Sequence, residues 1–199
     1  MNILQINSSA KSQGSESTRL ADSIVAKLST SAANVTLTRR DLASAPHPTL
    51  DEATLQALFT PAEQRSVEQA ARVSLDDALI AQAQAADVIV IGAPMYNFGI
   101  TVQLKSWFDA IARAGVTFKY TETGPVGLLT GKKVYVAVSR GGMHKGAASD
   151  TQLPHLTTFL NFLGLTDVTV VYSEGHGYGP EAVARARAQA DADIDAILA

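Results

Sequence analysis

The chain has 199 residues, a net charge of −3, 46% hydrophobic and 18% charged residues, and no cysteine. That length carries one domain with a full core and is short for two, and the composition is that of a packed globular protein. Without cysteine there can be no disulfide framework, thiolate catalysis or zinc–thiolate site, and a slightly acidic chain lacks the basic face that binding nucleic acid requires.

The first residues, MNILQINSSAKSQGS, have no charged and then apolar leader, and no apolar run approaches the ~20 residues of a membrane span. The expectation is a cytoplasmic chain that does not enter the membrane. Ile3–Ile6 is a short, continuously apolar run, as a strand covered on both faces would be. A Ser-rich loop follows, then Leu20, Ile24 and Leu28 at helical spacing. Val35–Thr38 alternates and suits an edge strand. Residues 41–86 are polar and alanine-rich, broken by Pro46, Pro48 and Pro61, with room for one or two extra helices.

Val88–Ile91 is a second buried run. In the helix expected over 101–113, Leu104, Trp107, Phe108 and Ile111 cover more than one core stripe, which suggests that this helix meets a second copy of the chain. Residues 114–131 place aromatic and polar residues around Gly124-Pro125, as in a hairpin or flap. Val134–Val138 and Val168–Tyr172 are further strands. Two more helical stripes follow, Leu153, Leu156, Leu160, Leu163 and Val183, Ala186, Ala190, Ile194, Ile197. Strand and helix alternate from 1 to 199 without a linker, which predicts a single doubly wound α/β domain with helices on both faces of a parallel sheet.

Ligands of such sheets bind beyond the carboxyl ends of the strands. Three loops there carry unusual residues. Ser9, Ser15 and Ser17 put hydroxyls at a helix start, where free N–H groups favour an anion such as a phosphate monoester; an ordinary Ser N-cap is the plain alternative. Met95, Tyr96, Asn97 and Phe98 would suit a flat aromatic ring. Ser139, Arg140, Gly141 and Gly142 expose backbone amides to a ligand edge, and His144 beside them could donate a proton or a hydrogen bond.

Other motifs fail. Gly127–Lys133 has the wrong spacing for a phosphate loop, and Asp191, Asp193 and Asp195 lack the rest of a calcium loop. The histidines have no metalloprotease spacing, so no metal site is expected. A serine hydrolase using Ser139, Asp167 and His176 has the right chain order, but Ala137 replaces the expected glycine and Gly141-Gly142 starts a helix poorly. A flavodoxin-type electron carrier is the non-enzymatic alternative.

Taken in order, Ser9 with Ser15-Glu16-Ser17, Met95-Tyr96-Asn97-Phe98 and Ser139-Arg140-Gly141-Gly142 resemble the bacterial FMN-dependent NADH:azoreductases, which are flavodoxin-like quinone reductases. Ala112–Phe118, Glu174-Gly175 and Tyr178-Gly179-Pro180 extend the resemblance over nearly the whole chain. It implies a five-stranded sheet in the order 2-1-3-4-5 and one non-covalent FMN per subunit, with NADH as electron donor. Ser9, Ser15 and Ser17, with the backbone of Glu16, would hold the phosphate, residues 95–98 would border the ring near N5, and residues 139–142 would face N1 and O2. It also implies a homodimer with sites at the interface, in which Phe118 and Tyr120 of the flap form a lid and join Asn97 and Phe98 in binding quinone or azo substrates. Hydride would pass by ping-pong through N5, with no protein nucleophile.

Overall fold

Strands that are apolar without alternation need cover on both faces, and here they have it. In the computed structural model, which describes residues 1–198, the chain runs β1 (Asn2–Asn7), α1 (Glu16–Ser31), β2 (Thr36–Asp41), α2 (Glu52–Phe59), α3 (Val67–Ala85), β3 (Val88–Pro94) and α4 (Val102–Ile111). It continues with β4 (Phe118–Thr121), β5 (Gly124–Gly127), β6 (Lys133–Ser139), α5 (Gln152–Phe162), β7 (Asp167–Ser173) and α6 (Pro180–Ile197). Five strands form one parallel sheet in the order β2-β1-β3-β6-β7, the expected 2-1-3-4-5 arrangement once the β4–β5 hairpin is set aside.

Alternate residues of the strands feed two cores. Leu4, Ile6, Ile89, Ile91, Val134 and Val136 face α3, α4 and α5, whereas Ile3, Val88, Val90, Tyr135 and Ala137 face α1 and α6. β3 is buried at every position, as the central strand of the sheet. Its Gly92 has a positional reason: a Cβ there would lie 2.9 Å from the Ser17 carbonyl oxygen, so glycine lets the first turn of α1 approach the end of β3. The region 41–86 does hold two helices, α2 and α3, with Asp51 and Ser66 as side-chain N-caps.

Two expectations about packing are corrected. Leu104, Trp107, Phe108 and Ile111 are all fully buried inside this chain. The wide apolar girth of α4 is absorbed by its own neighbours, since Phe108 stacks on Phe159 with ring centroids 4.0 Å apart. It therefore says nothing about a second copy.

The second correction concerns Phe118 of the flap. Residues 118–127 do form a hairpin, but Phe118 is an anchor in the core, against Phe162 at 4.4 Å, while Tyr120 is 75% exposed. The hairpin is pinned where the Leu129 N–H donates to the Leu163 carbonyl at 2.9 Å, beside the C-terminus of α5. The N-terminus of α5 meets the ligand loops, where the Thr151 hydroxyl donates to the Phe98 carbonyl at 2.5 Å. An eleven-residue helix separates those ends by about 16 Å. Phe118 and Tyr120 thus do not close over the crevice of their own chain.

Candidate active site

The loops after β1, β3 and β6 meet around a crevice of about 490 Å³. The first loop is fixed to the central strand by Ser8, whose N–H and hydroxyl both donate to the Gly92 carbonyl, at 3.2 and 2.7 Å. Ser15 caps α1 by accepting from the Thr18 N–H at 3.3 Å, and its hydroxyl lies 3.1 Å from that of Ser17. Ser9, Ser15 and Glu16 line the crevice; Ser17 is fully buried behind Ser15. The N–H groups of Glu16 and Ser17 make no hydrogen bond within the described residues. Free first-turn amides and neighbouring hydroxyls are the donor set a phosphate needs.

In the second loop, Tyr96 and Gly99 exchange both backbone hydrogen bonds at 3.0 Å, closing a two-residue turn. Its central residues, Asn97 and Phe98, have φ of 49° and 68°. A phenylalanine in the left-handed region costs about 1–3 kcal/mol, a strain that persists only where surrounding contacts impose it and that gathers at functional sites. The Thr151 hydroxyl supplies one such contact. The Met95 N–H is taken by the Ser139 carbonyl and that of Tyr96 by Gly99, so the free donors of this loop are Asn97 and Phe98. Phe98 is exposed at the rim.

Arg140 departs from the expected role of a cofactor contact. Its side chain is fully buried and every nitrogen is engaged. Nη1 and Nη2 donate to Asp150 at 3.0 and 2.8 Å, Nη1 also to Glu174 at 3.0 Å, and Nε to Gln152 at 3.1 Å. Its backbone N–H goes to the Ser173 carbonyl, and its carbonyl accepts from His176. With nothing left to offer a ligand, Arg140 ties three segments together beneath the crevice. Glu174 completes the knot by accepting the His144 and Lys145 N–H groups at 2.9 and 3.0 Å. The donors this loop presents are therefore the unpaired N–H groups of Gly141 and Gly142.

His144 sits over the third loop: a Cβ on Gly142 would lie 2.7 Å from its Nε2. Nδ1 is 2.8 Å from the Ser149 hydroxyl, and the ring meets Phe98 edge-on at 5.7 Å. It bridges the second and third loops at the rim.

Several wall residues had not been expected at a ligand site. Lys11, His176, Gly177, Val183 and Arg187 all line the crevice. Val183 and Arg187 are one helical turn apart on α6, and only knowledge of which face of α6 turns toward α1 would have pointed to them. Burial, reinforced by Arg187 and Arg19 and opposed by Glu16, pushes the His176 imidazole below its usual range, and its Nε2 is 2.8 Å from the Ser173 hydroxyl.

The serine-hydrolase constellation does not assemble. Asp167 and Ser173 occupy opposite ends of the seven-residue β7, roughly 20 Å apart, and Asp167 pairs with Lys133 at 2.6 Å. His176 bonds to Ser173, leaving Ser139 without a base. No His/Asp/Glu cluster among the described residues could hold a metal, and no helix among them is long and apolar enough to cross a membrane.

The site thus suits a planar heteroaromatic ligand that carries a phosphate: anion donors at α1 and Gly141 line the crevice, and the free amides of Asn97, Phe98 and Gly142 lie on the loops beside it. Residues 1–198 match the model of the flavodoxin-like fold family, and the chain belongs to that family. Within it, the chain belongs with the FMN-dependent NADH:quinone oxidoreductases. It is 59% identical over 199 residues to the protein of that name from Dechloromonas aromatica and 58% identical to that from Aromatoleum aromaticum, each alignment covering both chains completely. The structure of an FMN-dependent NADH-azoreductase from Bacillus anthracis in complex with FMN superposes with a TM-score of 0.88, at 25% identity and full coverage of both chains.

Proposed function

We propose that this protein is an FMN-dependent NADH:quinone oxidoreductase that also cleaves aromatic azo compounds reductively. The observation that carries the reading is the set of unpaired amides at Asn97, Phe98, Gly141 and Gly142, on loops that converge on a crevice whose far end is the hydroxyl-lined start of α1. Bound FMN would supply the two-electron chemistry, taking hydride at N5 from NADH and passing it to a quinone or azo group.

The residues would divide the work by position. Ser9, Ser15 and the Glu16 and Ser17 amides hold the phosphate, with the Ser17 hydroxyl orienting Ser15. Asn97 and Phe98 would offer N–H groups to the N5 side of a bound flavin. Gly141 and Gly142 would offer theirs to N1 and O2, where fixed dipoles would stabilise the negative charge that reduction brings without reorganising. Arg140 holds that loop from beneath. His144 closes the rim beside Gly142, placed to hydrogen-bond a bound oxidant.

The placement of the hairpin supports the flap as a lid within a homodimer. A hairpin anchored at the end of α5 far from the ligand loops would serve as a lid for a second copy, and Tyr120 is the exposed aromatic available for it. Phe118 acts there by holding the hairpin. With the partner's Tyr120 over the ring, one planar ligand fits at a time, so NADH and the oxidant take turns in a ping-pong sequence. The protein is then a cytoplasmic homodimer.

Steady-state kinetics test this reading. Double-reciprocal plots for NADH at several quinone concentrations are expected to be parallel, with turnover dependent on FMN. Tyr120→Ala should raise the quinone KM while leaving FMN affinity within about twofold. Intersecting plots with a trapped complex of protein, NADH and quinone would contradict it, and FMN binding without NADH consumption would instead indicate an electron carrier.

A further inference from the structure

The phosphate end of the crevice contains a carboxylate. Glu16 lies in the first turn of α1, with its side chain only 9% exposed, and lines the crevice beside Ser15. A phosphate dianion drawn to the α1 amides would meet that charge at close range. Two arginines answer it. Arg19 Nε donates to Glu16 at 2.8 Å, and Arg187 reaches across from α6 with Nε at 2.9 Å and Nη2 at 2.8 Å.

The two arginines are not equivalent. Arg19 also pairs with Asp191 at 2.8 Å, so its charge is shared between two carboxylates. Glu16, Asp191 and Arg19 together leave one negative charge, and Arg187 cancels it. Arg187 alone of the two also lines the crevice. Nearby, His176 is held toward its neutral form by burial, and Lys11 also lines the crevice. Arg187 therefore decides whether the Glu16 charge is covered at the phosphate end.

We propose that Arg187, through its pair with Glu16, sets this protein's preference for the phosphorylated flavin over the unphosphorylated one. The inference rests on the FMN reading above and adds α6 to a site otherwise built from α1 and the strand ends. Removing Arg187 leaves Glu16 partly uncovered against the dianion, whereas riboflavin, which lacks the phosphate, does not sense the change. Removing both charges together restores balance.

The test compares FMN and riboflavin affinities, read from quenching of flavin fluorescence, for the wild type and three variants. Arg187→Gln is expected to weaken FMN by about tenfold while changing riboflavin by less than about twofold. Arg187→Lys, which keeps the charge, should retain most of the preference. Glu16→Gln/Arg187→Gln should recover FMN binding to within about threefold of wild type. Equal weakening of both flavins by Arg187→Gln would show a purely structural role and overturn the inference, as would an unchanged FMN affinity. A wild-type protein that binds neither flavin would instead contradict the FMN reading itself.

Discussion

Arg140 and Glu174 form an ion pair at 3.0 Å beneath the crevice floor, with both side chains buried. Glu174 accepts the amides of His144 and Lys145 as well, so one carboxylate orders the whole loop that presents Gly141 and Gly142. Deleting one partner of a buried pair strands the other charge, a loss of about 3–5 kcal/mol. Arg140→Leu is therefore expected to lower unfolding stability by that amount in urea titrations. An exposed arginine would give a change within about 0.5 kcal/mol.

α4 offers a sharp contrast between two roles for an apolar residue. Ile111→Asp would bury an unpaired carboxylate in the core of this chain. The expected outcome is loss of the folded state, read by circular dichroism and by yield of soluble protein. A folded, stable monomer would mean that Ile111 faces a partner after all.

His176 gives the site a pH dependence of stated sign. Burial lowers its folded pKa below the ordinary 6.5, so below that value the unfolded chain binds the proton more readily. The stability tied to the neutral ring is complete above 6.5 and is lost as pH falls through the lowered folded value. His176→Gln should flatten the fall of the melting temperature between about pH 7 and about pH 5. Identical curves for the two proteins would refute the assignment.

Ser15 has two jobs, as cap of α1 and as wall of the phosphate site. A hydrogen bond to a charged group contributes about 1.5–3 kcal/mol, so Ser15→Ala should weaken FMN by about tenfold or more. Ser15→Asp, which preserves the cap, should weaken FMN further through repulsion. Isothermal titration of both variants checks this order, and equal affinities would remove Ser15 from the phosphate contacts.

Much of this could be read from the chain itself. Continuous apolar runs in β1, β3 and β6 report burial on both faces, and that pattern is local. The Ser-rich start of α1 and the Gly141-Gly142 pair are local signals too. What stayed hidden depends on the third dimension. The girth of α4 looks the same whether its cover is α5 and Phe118 or another molecule. Arg140 and Arg187 both border the crevice, yet the Arg140 side chain is fully buried and held by Asp150 and Glu174, while that of Arg187 is half exposed and covers Glu16. Only side-chain placement separates them.

The most direct measurement is a pair of half-reactions without oxygen, followed by the visible absorption of the FMN-loaded protein. One equivalent of NADH should bleach the flavin band with no quinone present, and quinone added afterwards should restore it with no NADH left. A band that stays unchanged on adding NADH, or bleaches only when quinone is already present, would contradict an oxidoreductase that carries hydride between the two.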